Sequence, residues 1–360
     1  MKKLKVGLIG LGNICRYAHM GGYLHMDNVE IAAICDILPE KIESFKKEFN
    51  MPDVPAFTDY KELLAVSGLD YVDICTPNYL HSIIAVEALN HGLHVFCEKP
   101  DAVSVTEAEK MKAAAEASGK HLMVMRNNRY RATAKYLKQY IADGKMGDIY
   151  CGRCGWIRRR GIPGKGGWFT TKAQSGGGPL IDLGVHMIDL AIWLMGNPTP
   201  VAVSGCTYAK FADNNASSDS EHASFGEAKA DGIFDVEDLA MGFIKFDNGA
   251  CLQIEFSWAS NIGSEKSFVE LRGTKAGSEF SSHTGRVKIF TEEYGHCVDL
   301  EPVTADDSKC TPHHEANLRH FADVLLHNAK PDFEPVQGVN MIKILEAIYK
   351  SAETGREVLL

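Results

Sequence analysis

Asp182, His186 and Asp189 stand at i, i+4 and i+7 in an otherwise apolar run between Gly176 and Gly196. At 3.6 residues per turn they share one face of a helix. Pro179 suits its first turn, and Gly196-Asn197-Pro198 suits its stop. Ionisable groups on a buried helix are costly unless paired or used. An imidazole can take and return a proton near neutral pH. His186 therefore reads as an acid/base group and Asp182 as a substrate-hydroxyl contact or a partner tuning His186. Asp189 reads as a group orienting the helix or His186. Gly184 inside this helix, at about 1 kcal/mol relative to alanine, predicts a close approach by a backbone or a ligand. Spacing alone equally suits a satisfied buried polar cluster. A metal site lacks an evident third ligand, so none is assigned.

A second group follows the apolar run 95–97: Glu98-Lys99-Pro100. A lysine at the end of a parallel strand lies where ligands bind in open α/β sheets. Partial burial and a nearby cationic ring would lower its pKa and fit it for proton transfer or for polarising an oxygen. The alternative is a surface lysine after a strand. Thr76-Pro77-Asn78-Tyr79-Leu80-His81, at the end of another strand, favours the first reading.

A third feature is Gly10-Leu11-Gly12-Asn13-Ile14-Cys15, between the first strand and the first helix. Gly10 permits the tight turn, and Gly12 lets the backbone approach a pyrophosphate at the helix N-terminus. Cys15 replaces the third glycine of that fingerprint. Asp36, closing the second strand, can accept hydrogen bonds from both ribose hydroxyls of NAD and would repel a 2′-phosphate. This predicts NAD, with NADP possible because Lys41 is near in sequence.

These residues need a scaffold, and the first third supplies a regular one. Strands at 4–9, 29–35, 71–75, 95–97 and 121–125 alternate with helices at 14–25, 39–49, 80–90 and 106–117. Continuous apolar strands between helices imply a parallel sheet covered on both faces. After about residue 125 the helices 133–143 and 179–195 are joined by strands 149–157, 201–208, 239–246, 250–258, 268–272 and 286–290, with helices 315–327 and 339–352 at the end. Turns such as Asp247-Asn248-Gly249 mark an antiparallel sheet. The predicted fold is α/β: a dinucleotide-binding domain, 1–125, and an α+β substrate and oligomerisation domain, 126–360. The polar stretch 212–231 reads as a mobile loop.

Composition narrows the function classes. The 360 residues carry 38 Lys+Arg against 47 Asp+Glu, a net charge of −9, which argues against nucleic-acid binding. No apolar run approaches the roughly 18 residues of a membrane span, and the N-terminus lacks a signal-peptide core. Ten scattered cysteines, several inside apolar runs, fit a reducing cytoplasm.

Together the motifs resemble the glucose-fructose oxidoreductase / inositol dehydrogenase / rhizopine-catabolism (Gfo/Idh/MocA) family. The likeness runs from the glycine loop through Thr76-Pro77-Asn78 with His81, Glu98-Lys99-Pro100 and Gly178-Pro179-Leu180 with Asp182, Gly184, His186 and Asp189, to Ser351-Ala352-Glu353-Thr354-Gly355. The resemblance implies a Rossmann domain followed by a domain with a large, mostly antiparallel sheet, through which members oligomerise as dimers or tetramers. It implies that Lys99, Asp182 and His186 are catalytic, and that Gly10, Gly12, Asn13, Ile14, Asp36, Thr76, Pro77, Asn78, His81, Glu98 and Lys99 hold the cofactor. It implies hydride transfer between NAD(P) and a hydroxyl-bearing carbon of a sugar, sugar acid or cyclitol. His186 would take the hydroxyl proton while Lys99 steadies the oxyanion, and which of the two is the base stays open. Glycosidases that retain NAD and act by transient oxidation and elimination share this family, and a non-catalytic nucleotide sensor is the other alternative.

Substrate contacts are expected from two clusters. Arg126-Asn127-Asn128-Arg129-Tyr130-Arg131 offers Arg129, and Trp156-Ile157-Arg158-Arg159-Arg160 with Trp168 offers indole and guanidinium groups. Indoles stack on sugar faces, and guanidiniums grip carboxylates or hydroxyls. Asp182 and His186 complete the expected substrate set. Cys151 and Cys154 have no second pair to make a metal site, and the pair His313-His314 reads as a helix start.

Overall fold

The computed structural model describes residues 3–212, 226, 228–282, 284–303 and 311–360. The chain forms two compact units, Met1–Met125 with Pro312–Val339, and Arg126–Thr311 with Asn340–Leu360.

The first unit holds a six-stranded sheet: β1 (Leu4–Ile9), β2 (Val29–Cys35), β3 (Ala56–Phe57), β4 (Tyr71–Ile74), β5 (His94–Cys97) and β6 (Leu122–Val124), in the order β3-β2-β1-β4-β5-β6. Every pairing is parallel. Val6, Leu8, Val72, Ile74, Val95 and Phe96 are buried, as expected when helices cover both faces. The order reverses between β1 and β4, the switch point where doubly wound sheets bind dinucleotides. The helix Pro39–Glu48 starts on its proline, and Val105–Ser118 is capped by Ser104 and stopped at Gly119, φ +64°.

Two features of this unit depart from the sequence reading. The helix predicted over 14–25 begins as a π-helical turn, Cys15–His19, and becomes α-helical only over Met20–Tyr23. The helix His313–His327, assigned from sequence to the second domain, packs in the first unit. Its Phe321 sets an edge on Tyr71 and tilts against Phe96, both with centroids 5.3 Å apart.

The second unit is built on a nine-stranded sheet. Its strands are β7 (Ile149–Ile157), β8 (Pro200–Tyr208), β9 (Leu239–Phe246), β10 (Cys251–Ser257), β11 (Lys266–Gly273), β12 (Gly277–Ser281), β13 (Arg286–Glu293), β14 (His296–Leu300) and β15 (Val358–Leu359). The order is β14-β13-β12-β11-β7-β10-β9-β8-β15, antiparallel except for β7 with β10. The register aligns Ile254, Cys154, Val269, Phe280 and Val287 in one buried row. Alternate positions, including Met241, Phe243, Phe268 and Phe290, are half-buried or exposed. The helix Val185–Leu194 lies against β7 and β11. Strands β12, β14 and β15 escape the sequence reading because they are short and β14 alternates charge with apolar residues too briefly to show a period.

Much of the predicted 212–231 loop lies outside the described residues. The helical stretch Lys172–Leu194 is long and apolar enough by composition to cross a membrane, with mean hydropathy 1.3, against the expectation of no such run. It is 78% buried, as a core helix is.

Candidate active site

The glycine loop of the first unit is fixed from three sides. Gly10 has φ +91°, and a Cβ there would lie 2.8 Å from the Cys75 carbonyl and 2.9 Å from Thr76 N. No other residue fits that turn. Its N–H donates to the Cys35 carbonyl (2.8 Å), and the Leu11 N–H donates to Asp36 Oδ2 (2.9 Å). Asp36 Oδ1 also accepts the Leu38 N–H (3.0 Å), so this carboxylate ties the loop to the end of β2. Arg16 reaches back to the Leu11 carbonyl (3.0 Å) and forward to Glu48, bracing the loop against the next helix. Asn13 is exposed and Ile14 half-buried in front of this frame.

Below the loop lies a buried ionic network. His19 Nδ1 bonds Asp73 Oδ2 at 2.7 Å, and its Nε2 bonds Glu98 Oε1 at 2.9 Å. The Tyr23 hydroxyl donates to the same Asp73 oxygen (2.8 Å). Glu98 Oε2 accepts the Lys99 N–H (3.0 Å), so the network ends on the backbone of Lys99. Burial by itself disfavours a charged ring at His19. The Asp73 and Glu98 carboxylates outweigh it and raise its pKa well above 6.5. Burial likewise pushes the Glu98 carboxyl up, but its bond to the His19 imidazolium and the nearby Lys99 bring it down to about 2. His19, Asp73 and Cys75 also hold possible ligand atoms within 4.8 Å of one another. Burial keeps the Cys75 thiol pKa well above its ordinary value, the opposite of a ligating thiolate, and His19 is committed to Asp73.

His81 differs from its expected role at the cofactor. It is fully buried, with Nδ1 2.8 Å from the Pro100 carbonyl and Nε2 2.8 Å from the Thr76 carbonyl. Burial lowers its pKa against these two carbonyl contacts, and the ring braces the turns after β4 and β5. Asn78 is buried beside it in sequence, while Thr76, Pro77 and Lys99 are half-buried.

In the second unit the predicted helix 179–195 is a π-helical turn, Leu180–Gly184, followed by an α-helix, Val185–Leu194. Such widened turns recur at functional sites. Asp182 lies in the irregular turn, while His186 and Asp189 keep regular α-helical spacing after it. Asp189 is buried and accepts Arg126 Nε (2.9 Å) and both Arg129 Nε (2.8 Å) and NH2 (2.6 Å). Asp189, expected to orient the helix or His186, thus ties the helix to the segment 126–129, and Arg129, expected at the substrate, is 1% exposed and a buried partner of Asp189. No backbone closes on Gly184. The atoms nearest an added Cβ are side-chain carbons of Phe256, Ile188 and Leu180 at 3.4–3.5 Å.

Asp182 and His186 are half-buried. Trp258, fully buried, donates its indole N–H to Asp182 Oδ2 at 2.9 Å. The His186 ring stands 6.0 Å from that of Trp156, whose other neighbour is the Arg158 guanidinium at 5.0 Å. Burial lowers the Arg158 pKa, and the Asp182 charge opposes that shift. Trp168 stacks on Phe169 with centroids 3.8 Å apart. The sequence reading did not single out Trp258, which sits 76 residues from Asp182.

Residues 4–126 match the family described as oxidoreductase family, NAD-binding Rossmann fold (GFO/IDH/MocA), and residues 134–279 match the GFO/IDH/MocA C-terminal domain. D-glucoside 3-dehydrogenase of Escherichia coli (strain K12) is 32% identical, over 99% of this chain and 97% of its own length. The chain belongs to the GFO/IDH/MocA family. Levoglucosan dehydrogenase of Pseudarthrobacter phenanthrenivorans is 28% identical over 99% of this chain and 91% of its own. The crystal structure of aldose-aldose oxidoreductase from Caulobacter crescentus, complexed with glycerol, superimposes with a TM-score of 0.82 at 25% identity and covers the whole of both chains.

Membership in the GFO/IDH/MocA family implies a nicotinamide dinucleotide, and the first unit fits one. A Cβ on Gly12 would meet no protein atom within 4 Å, so packing within the unit does not require glycine there and the space beside it is open to a phosphate. The Thr76 hydroxyl, next to Gly10, is buried without a hydrogen-bond partner among the described residues. Both are features a phosphate or ribose group would complete.

Proposed function

We propose that this chain is an NAD(P)-dependent dehydrogenase of sugars, sugar acids or cyclitols. The observation that carries this reading is the second unit's half-buried acid and imidazole, each set against a tryptophan: Asp182 on Trp258 and His186 on Trp156. The half-buried Trp156 offers an indole face to a sugar ring and the buried Trp258 holds Asp182, so that carboxylate and imidazole meet the sugar's hydroxyls.

Gly10, Gly12, Asn13, Ile14, Asp36 and the Thr76-Pro77-Asn78 turn would hold the dinucleotide, with Glu98 fixing the turn of Lys99. The dinucleotide would supply the hydride-accepting group for oxidation of the substrate's C–OH carbon to a carbonyl. His186 takes the hydroxyl proton, Asp182 orients the hydroxyl, and the Lys99 ammonium steadies the oxygen as it gains charge. Arg158 adds a cation beside Asp182, which suits substrates carrying a carboxylate. The first unit is the cofactor domain and the second the substrate domain. The exposed sheet face with Phe243 and Phe290 supports self-association as a dimer or tetramer. Free cysteines support a reducing, cytoplasmic setting.

Asp36 sets the cofactor preference. Asp36→Ser removes the charge facing a 2′-phosphate, and like-charge contacts cost several kcal/mol. NADP then gains at least about tenfold relative to NAD in kcat/KM. An unchanged ratio would mean that another group makes the choice.

The reading is tested by following nicotinamide reduction with NAD and NADP over glucosides, free aldoses, uronic acids and inositols. Stoichiometric NADH or NADPH with at least one of them is expected. Glycoside cleavage without net reduction, or no turnover across the panel, would overturn it.

A further inference from the structure

The sequence reading leaves Glu237 aside, yet its carboxylate touches the start of the acid–imidazole helix. Oε2 accepts the Gly178 N–H (2.9 Å), and Oε1 accepts the Leu180 N–H (3.1 Å) and the Tyr349 hydroxyl (3.0 Å). Pro179 between them has no N–H to offer. The glycines of this turn follow from the same contact. A Cβ on Gly178 would collide with the Glu237 carbonyl, and one on Gly177 with the Tyr349 hydroxyl. The Gly177-Gly178-Pro179 run is therefore shaped by Glu237 and Tyr349.

All three neighbours of the carboxylate are donors. Only an acceptor-only group satisfies them; a glutamine would turn its amide N–H₂ toward another N–H. Burial of an acid is costly and raises the Glu237 pKa against those hydrogen bonds. The adjoining Asp238 reaches the same site by a second route. Its carbonyl accepts the Trp258 N–H (3.0 Å), and the Trp258 indole donates to Asp182. The segment 237–238 thus grips Asp182 through the helix start and through the indole.

We propose that Glu237 is a positioning residue for Asp182 and His186, holding the turn from which both project so that they meet the substrate at the reacting geometry. This rests on the catalytic reading of that pair. A misplacement of about 1 Å can cost about a hundredfold in rate. The loss falls mainly on kcat, because alignment is felt most in the transition state.

The test compares Glu237→Gln, Tyr349→Phe and the double variant with the native chain, using NAD and the glucoside, aldose, uronic acid or inositol that the native chain oxidises fastest. Glu237→Gln is expected to lower kcat by about tenfold to a hundredfold with KM changed less than about threefold. Tyr349→Phe gives a smaller loss, and the double variant is no worse than Glu237→Gln, since both act on one carboxylate. Hydrogen exchange, read without substrate or cofactor, accelerates over 178–186 and is unchanged in β7 and β11. Should Glu237→Gln fail to fold, Tyr349→Phe carries both readouts. Native kcat and unaltered exchange in these variants, while Asp182→Asn and His186→Ala are inactive, would overturn the positioning role alone. Native kcat in Asp182→Asn and His186→Ala would instead overturn the catalytic reading, and the exchange result would still decide whether Glu237 holds the turn.

Discussion

His186→Ala lowers kcat by about 10²- to 10⁴-fold, the span covered by a positioned acid/base group. The imidazole is half-buried beside Trp156, on a helix anchored by buried apolar residues such as Val185, Met187 and Ile188. Truncation therefore removes the ring with little change in the scaffold. Lys99→Ala costs about 10²- to 10³-fold, as loss of an oxyanion-stabilising group does. Lys99→Arg restores little, because a planar guanidinium does not replace a compact ammonium. Steady-state rates of nicotinamide reduction check the size, and a fluorescence titration checks that NAD affinity is retained. Native kcat in His186→Ala would remove the imidazole from the reaction.

His19→Gln destabilises the protein by about 3–5 kcal/mol, the usual cost of removing one member of a buried ion pair. It leaves the Asp73 and Glu98 carboxylates buried without their shared cation. The effect depends on pH in a defined sense. The His19 pKa is raised in the folded protein, so its contribution is complete below the ordinary value of 6.5 and is lost as pH rises through the folded pKa. The Glu98 pKa is lowered to about 2, so its contribution is complete above the ordinary 4.5 and is lost as pH falls through about 2. The gap between native protein and His19→Gln is therefore widest between about pH 4.5 and 6.5 and narrows on the alkaline side. Urea titrations at mildly acidic and alkaline pH measure it. A gap independent of pH would show that the ring is not charged in the native state.

Local pattern made much of this molecule legible. Continuous apolar strands between helices identify the parallel sheet, and Gly10 is where the chain passes within contact distance of Cys75 and Thr76. The Asp182/His186 pair is readable because both residues lie within one turn of the same segment. What spacing hides is long-range pairing. Glu98 looks like part of a strand-end motif, and only the fold joins it to His19, 79 residues earlier. Asp189 looks like the third member of a catalytic stripe, and only the fold shows it paired with Arg126 and Arg129, 63 and 60 residues away. Trp258 and Glu237 carry no local signal at all, since each reads as an ordinary residue beside a strand. The helix His313–His327 follows the second sheet in sequence, and nothing in its amphipathic pattern tells that its Phe321 serves the first.

The most direct measurement follows the transferred hydrogen. The sugar, sugar acid or cyclitol that turns over, deuterated at every ring carbon, is incubated with unlabelled NAD and the protein, and the reduced cofactor is analysed by mass and NMR. A single deuterium at nicotinamide C4 is expected for each carbonyl formed, with its rate of appearance lowered about 10²- to 10⁴-fold in His186→Ala. Reduced cofactor without deuterium, or a labelled cofactor formed equally well without His186, would contradict it.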